Sequence, residues 1–219
     1  MLEVTPRLVL ASTSRYRIEL LQRLGIPFEA RAPDVDERAF DDAFATSTPE
    51  ELAQRLALAK AQAVADALVA EGVAPAQPVW VLGADQLAIL PADGDRPPRL
   101  LHKPGTVARA IDQLMQLAGR EHHLVTGVAL VAPHATTRHS AVDRVTLRMR
   151  AFDRIEATAY IERYAPIDCV GSYRIEDAGI RLVDEIRFDT LARSADPTSI
   201  MGLPLLVVCR LLRQAGLLP

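Results

Sequence analysis

Cysteine is nearly absent. Cys169 and Cys209 cannot build a disulfide framework, and neither belongs to a Cys-x-x-Cys pair, so a reducing, intracellular setting is the expectation. No apolar run approaches the roughly 18 residues of a membrane-spanning helix. The run from Leu203 to Cys209 is representative and contains Pro204. The stretch from Met1 to Arg7 lacks a basic region ahead of a long apolar segment, so no leader is expected. A basic excess is missing too: 25 Lys and Arg against 28 Asp and Glu give a net charge of −3. That argues against a dedicated polyanion binder, which needs a broad positive footprint, yet permits one phosphate-bearing ligand held by a local cluster. There is no P-loop Gly-Lys-Ser/Thr, no Gly-x-Ser-x-Gly and no zinc-type histidine spacing. His122 and His123 are adjacent and would face opposite sides of a strand. Aromatics are few: five Phe, four Tyr and one Trp.

What is present is a 219-residue chain, 49% apolar, with enough material for a sizeable core. A β-rich run at 8–11 precedes Ser12-Thr13-Ser14. An amphipathic segment follows with Ile18, Leu21 and Leu24 at helical spacing, Ser14 as its N-cap and Gly25 as its stop. Residues 26–47 read as irregular and acidic. Thr48-Pro49-Glu50-Glu51 is a capping-box start for an Ala-rich helix reaching about Ala70, with Leu52, Leu56, Ala59 and Ala63 on one face. A strand at 79–82 is expected to end at Gly83-Ala84-Asp85-Gln86 and resume at 87–90. A turn-rich loop covers 91–99. A helix at 106–118, strands at 123–132 and 140–151, a helix at 153–164, short strands near 169–187 and a last helix from about 203 to 216 complete the chain. Alternating helices and strands with short connections define an α/β class with a mixed sheet, read as a single domain with two lobes and a cleft.

Several segments suit phosphate chemistry. Ser12, Thr13, Ser14, Arg15, Tyr16 and Arg17 lie at a strand-to-helix junction, where free backbone N–H groups attract anions and arginine adds charge-assisted bonds. The alternative is a capped helix with solvated arginines. Asp36 and Glu37 could hold Mg²⁺ together with substrate phosphates, or be plain surface acids. Asp85 follows four apolar residues, and a charge there must be paired or reach a ligand. Lys60 and Lys103 are candidate phosphate contacts, set against ordinary surface lysines.

In order and spacing these pieces resemble the Maf family of nucleoside triphosphate pyrophosphatases over nearly the whole chain. The resemblance is carried by Leu10-Ala11-Ser12-Thr13-Ser14 with Arg17, Val35-Asp36-Glu37, Lys60-Ala61, Gly83-Ala84-Asp85-Gln86 and Lys103-Pro104. It continues with Gly119, His122 and Thr126, then Gly171-Ser172-Tyr173 and Gly202-Leu203-Pro204. One departure is Arg15, where the family usually has proline. The resemblance implies a two-lobed mixed α/β fold and hydrolysis between the α- and β-phosphates of a nucleotide, with Mg²⁺ or Mn²⁺. Asp85 would accept the proton of water, and Glu37 with Asp85 would hold the metal. Ser12, Ser14, Arg17, Lys60 and Lys103 would bind phosphates. Base choice would follow Tyr16, Gln86 and Glu176, a combination similar to the 7-methyl-GTP branch rather than the dTTP/UTP branch. A 7-methylated guanine carries ring charge that Tyr16 could stack on and Glu176 could offset. Cysteine count, charge and the short apolar runs point to a cytoplasmic protein with neither a nucleic-acid nor a membrane partner, and the resemblance implies a homodimer. A regulatory, septum-related or nucleic-acid-binding role is the competing reading, and the net charge of −3 speaks against it.

Overall fold

The computed structural model describes residues 6–135, 137–188 and 195–219. Residues 1–5, on which most of the leader expectation rests, lie outside them. The elements in order are β1 (Arg7–Ala11), α1 (Arg15–Gln22), β2 (Phe28–Arg31), a 3-10 helix (Glu37–Ala45), α2 (Pro49–Ala70), β3 (Val79–Leu90) and β4 (Arg99–Leu101). Then come α3 (Val107–Leu117), β5 (Glu121–Val131), β6 (Arg138–Met149), α4 (Arg154–Tyr164), β7 (Val183–Phe188) and α5 (Leu205–Gln214). Short 3-10 turns occupy Val170–Ser172, Gly179–Leu182 and Pro197–Met201. The strands form one mixed sheet in the order β2-β1-β3-β5-β6-β7, with β4 beside β3. β1 is parallel to β2 and β3, whereas β4 runs antiparallel to β3 and β7 to β6. Among the described residues no helix is long and apolar enough to cross a membrane.

Two compact units share the chain. The first comprises residues 1–86, 126–143 and 191–219, and the second 87–125 and 144–190. In the first, strict alternation along the strands makes two apolar layers. Val9, Ala11, Val79 and Val81 meet the Ala-rich face of α2. Leu8, Leu10, Leu82 and Ala84 meet leucines of α1 and the apolar side of α5. The Thr48 capping box is formed: its hydroxyl accepts from Glu51 N, and the Glu51 carboxylate accepts from Thr48 N.

Three sequence expectations are corrected. The 26–47 stretch is not irregular throughout: it holds β2 and a 3-10 helix begun by Asp36, whose carboxylate accepts from Arg38 N. Phe28-Glu29-Ala30-Arg31 is too short and polar to read as a strand from its pattern; pairing with β1 makes it one. The 169–187 region forms two 3-10 turns and the single strand β7 instead of several short strands. Finally, the buried stripe of α2 runs through Ala53, Ala57, Ala61, Val64 and Leu68, while Ala59 and Ala63 are half-buried.

The core of the second unit contains a histidine. His122 is fully buried, and its Nε2 is 2.8 Å from the hydroxyl of Tyr173, which meets it edge-on. Burial pushes the imidazole pKa down to about 3, and the neighbouring His123 adds to this. The unfolded chain therefore binds a proton below pH 6.5 that the folded chain refuses, and stability drains away as pH falls from there towards 3. The expected slope is about 1.4 kcal/mol per pH unit. His122→Gln should flatten the fall in melting temperature between pH 6.5 and 4.5 relative to wild type; parallel curves would show that His122 is not held neutral.

Candidate functional site

β3 does not break at Gly83. It runs unbroken from Val79 to Leu90, so Asp85 lies inside a strand, neither at its end nor on a turn. The alternation of β3 turns Val79, Val81 and Gly83 towards α2, and Asp85 follows at the same parity. A Cβ on Gly83 would come within 2.2 Å of Ala57 O and 2.8 Å of Ala61 N. Gly127 of β5 does the same for Ala53 O, at 2.2 Å. Two glycines and a ridge of alanines thus let the α2 backbone settle almost onto the sheet.

That approach delivers Lys60 to Asp85. Lys60 and Asp85 are 4% and 5% exposed. Lys60 Nζ donates to Asp85 Oδ1 at 2.5 Å and lies 2.6 Å from Oε1 of Glu37, the exposed first residue of the 3-10 helix. Sequence reasoning proposed all three residues but left surface positions as the alternative for Lys60. Its spacing was the missed signal: Lys60 falls four residues after Leu56 and four before Val64, on the buried stripe. Asp85 Oδ2 has no protein partner among the described residues, which leaves one oxygen for water or a cation.

The phosphate turn adjoins this cluster through strand register. β1 and β3 are parallel and pair Leu10 with Leu82, so Ser12 leaves the sheet level with the start of the Gly83–Asp85 run. Ser12 is buried, and its Oγ accepts from Ser14 N at 3.1 Å. Ser14 occupies the N-cap of α1 without a side-chain cap bond. Arg17 Nε donates to Gly202 O at 3.0 Å, and its terminal nitrogens have no partner among the described residues. Tyr16 is half-buried; the Arg15 guanidinium lies 4.7 Å from its ring centroid and donates to its hydroxyl.

Gln86 has the opposite parity to Asp85 and turns to the other face of the sheet. Its amide donates to Thr126 Oγ1 at 3.0 Å and to Ser199 O at 2.7 Å. Ser199 in turn donates from its hydroxyl to the buried Asp143 carboxylate. Asp196 anchors the same segment by accepting from Thr198 N and Leu206 N. Asp143 and Ser199 escaped the sequence reading, although a lone acid at a buried strand position such as Asp143 was a usable signal.

Two proposed residues belong to the second unit. Lys103 is exposed in the loop after β4. Glu176 is exposed on a turn closed by Gly179 N donating to Arg174 O at 2.9 Å. The Arg174 guanidinium stiffens that turn through Asp168 and Asp177 at 2.8 and 2.9 Å. A cavity of about 180 Å³ in this unit lies along α4, and none of the site residues lines it. Both cysteine thiols are pushed up by burial, which disfavours the nucleophilic thiolate.

Among the described residues no three or more His, Cys, Asp or Glu side chains converge as a ready metal cage. Glu37 and Asp85 nevertheless fit a hard divalent cation. Mg²⁺ is commonly held by one or two carboxylates plus substrate phosphates, and an ammonium already contacts both of these carboxylates.

A family model described as Maf-like protein matches residues 7–215. The chain belongs to that family. It is 42% identical over 211 residues to the 7-methyl-GTP pyrophosphatase of Albidiferax ferrireducens, covering 96% of this chain and 94% of the relative. It is 41% identical to proteins of the same name from Xanthomonas campestris, at 96% and 97% coverage, and Burkholderia pseudomallei, at 96% and 88%.

The close approach of α2 can be tested directly. Gly83→Ala forces a Cβ against backbone atoms that cannot swing aside. A loss of about 1–3 kcal/mol in urea unfolding is expected, as for other overpacked sites. An unchanged midpoint would mean that α2 does not sit this close to β3.

Proposed function

We propose that this protein is a nucleoside triphosphate pyrophosphatase that hydrolyses 7-methyl-GTP to 7-methyl-GMP and pyrophosphate. The observation that carries the reading is the Glu37–Lys60–Asp85 cluster, a buried acid and ammonium joined to a second, exposed acid beside a phosphate-type turn. The names of the relatives support the choice of base. Phosphoanhydride hydrolysis needs charge neutralisation and an oriented water more than covalent help, and this set of side chains offers both. Asp85 takes the proton of the attacking water as the bond between the α- and β-phosphates breaks, and pyrophosphate leaves. Ser12, Ser14, Arg17, Lys60 and Lys103 hold phosphate oxygens. Glu37 and Asp85 would hold Mg²⁺ or Mn²⁺, and the cation would supply positive charge to offset that of the phosphates. Tyr16, Gln86 and Glu176 select a cationic guanine, and Gln86 also secures the Pro197–Met201 turn, after which the Gly202 carbonyl orients Arg17.

The reading extends to a cytoplasmic enzyme, one functional domain over residues 1–219, working as a homodimer on a small nucleotide. The net charge of −3 and the single family match over 7–215 support a small ligand and one domain.

Purified protein with Mg²⁺ or Mn²⁺ should release pyrophosphate from 7-methyl-GTP much faster than from dTTP or UTP. Equal or reversed rates would place it in the pyrimidine branch. Asp85→Asn should lower turnover by about 10² or more, the usual contribution of a general base; retained activity would remove Asp85 from that role. Glu176→Gln should erode the preference for the methylated base, and an unchanged ratio of rates would exclude Glu176 from selection.

A further inference from the structure

Glu37 Oε1 and Asp85 Oδ1 share one ammonium, with Lys60 Nζ at 2.6 and 2.5 Å. These are the carboxylates a divalent cation would use. We propose that Lys60 is a built-in stand-in for that cation: it neutralises the two acids and gives up the carboxylates only when the metal arrives. The inference rests on the nucleotide-hydrolase reading for the identity of the metal.

Two acids converging on one point repel each other, and a buried Asp85 without a counter-charge would be costly. Lys60 removes both costs with two of its three N–H donors. A metal cannot simply be added to this arrangement. Mg²⁺ sits about 2.0–2.1 Å from its oxygen ligands, so a cation on either oxygen of Asp85 or Glu37 would face at close range the ammonium held 2.5–2.6 Å from Oδ1 and Oε1. Two carboxylates, one ammonium and one divalent cation would also leave the cluster with a net positive charge. Exchange restores the balance: the metal takes the acids, and the Lys60 ammonium turns to a new acceptor. Phosphate oxygens of a nucleotide are such an acceptor, so one lysine serves first as counter-ion and then as phosphate ligand. Lys60 therefore raises the barrier to loading metal in the absence of nucleotide.

The test is Mn²⁺ binding to the nucleotide-free protein, followed by electron paramagnetic resonance. Lys60→Met should bind Mn²⁺ at least about fivefold more tightly than wild type, the low end of ordinary coupling between sites. Lys60→Arg keeps the charge and should not. Equal or weaker binding by a folded Lys60→Met protein overturns the proposal. A measurement on the wild-type chain covers the case in which Lys60→Met fails to fold. The Lys60 ammonium ¹⁵N resonance, assigned by its disappearance in Lys60→Arg, should shift when Mg²⁺ is added at saturating concentration. A resonance that stays fixed while Mg²⁺ binds overturns the proposal equally. Neither readout uses turnover: a protein that cleaves 7-methyl-GTP yet fails both keeps its function and loses the stand-in, whereas one that passes both without cleaving any nucleotide loses the function.

Discussion

A lysine and an aspartate buried against each other are the constraint from which the rest of the first unit can be understood. Each would be expensive alone, and removing one partner from such a pair commonly costs about 3–5 kcal/mol. Together they are tolerable only if α2 lies close enough for a lysine to reach the strand. Gly83 and Gly127 supply that closeness on the sheet side, and Ala53, Ala57 and Ala61 supply it on the helix side. The Thr48 capping box fixes where α2 begins, and hence which turn carries Lys60 over Asp85. Local capping, glycine placement and a buried charge pair are thus one arrangement seen at three scales.

The two-residue period of β3 divides the labour between neighbours. Asp85 turns to α2 and its cation; Gln86 turns to the opposite face and spends its amide on Thr126 and Ser199. A one-residue slip in β3 would exchange these surroundings and bury a carboxylate against the Ser199 carbonyl. The hydrogen-bonded segment from Asp196 to Leu206 then reaches Arg17 through Gly202 O. The proposed phosphate arginine and the residue beside the proposed base are therefore tied to the same short segment, although 69 positions separate Arg17 from Gln86.

Much of this was legible in the chain. Thr48-Pro49-Glu50-Glu51 and the helices ending near Gly25 and Gly119 could be read because capping and left-handed glycine act locally. β2 could not, since Phe28–Arg31 owes its strand form to pairing with β1. Nor could the continuity of β3: Gly83 resembles a breaker until α2 is known to need its missing side chain. Asp85 was found because a charge after an apolar run demands a reason. Asp143 and Ser199 were missed because their reason is each other, 56 residues apart.

Arg15 bears on how a charged base would be recognised. Its guanidinium already lies 4.7 Å from the centroid of the Tyr16 ring, so a cationic ligand stacking there would not be the first cation the ring meets. An aromatic ring that attracts one cation gives a second less, because the two positive groups repel across it. A cationic guanine stacked on Tyr16 would gain mostly dispersion and buried area from the ring. The burden of recognising its charge would then move to a carboxylate, which also accepts from guanine N–H groups that a pyrimidine lacks. Glu176 has that chemistry, on a turn that Arg174 holds in place. On this reasoning the proline-to-arginine departure at position 15 would shift selection of a charged base from stacking towards charge pairing.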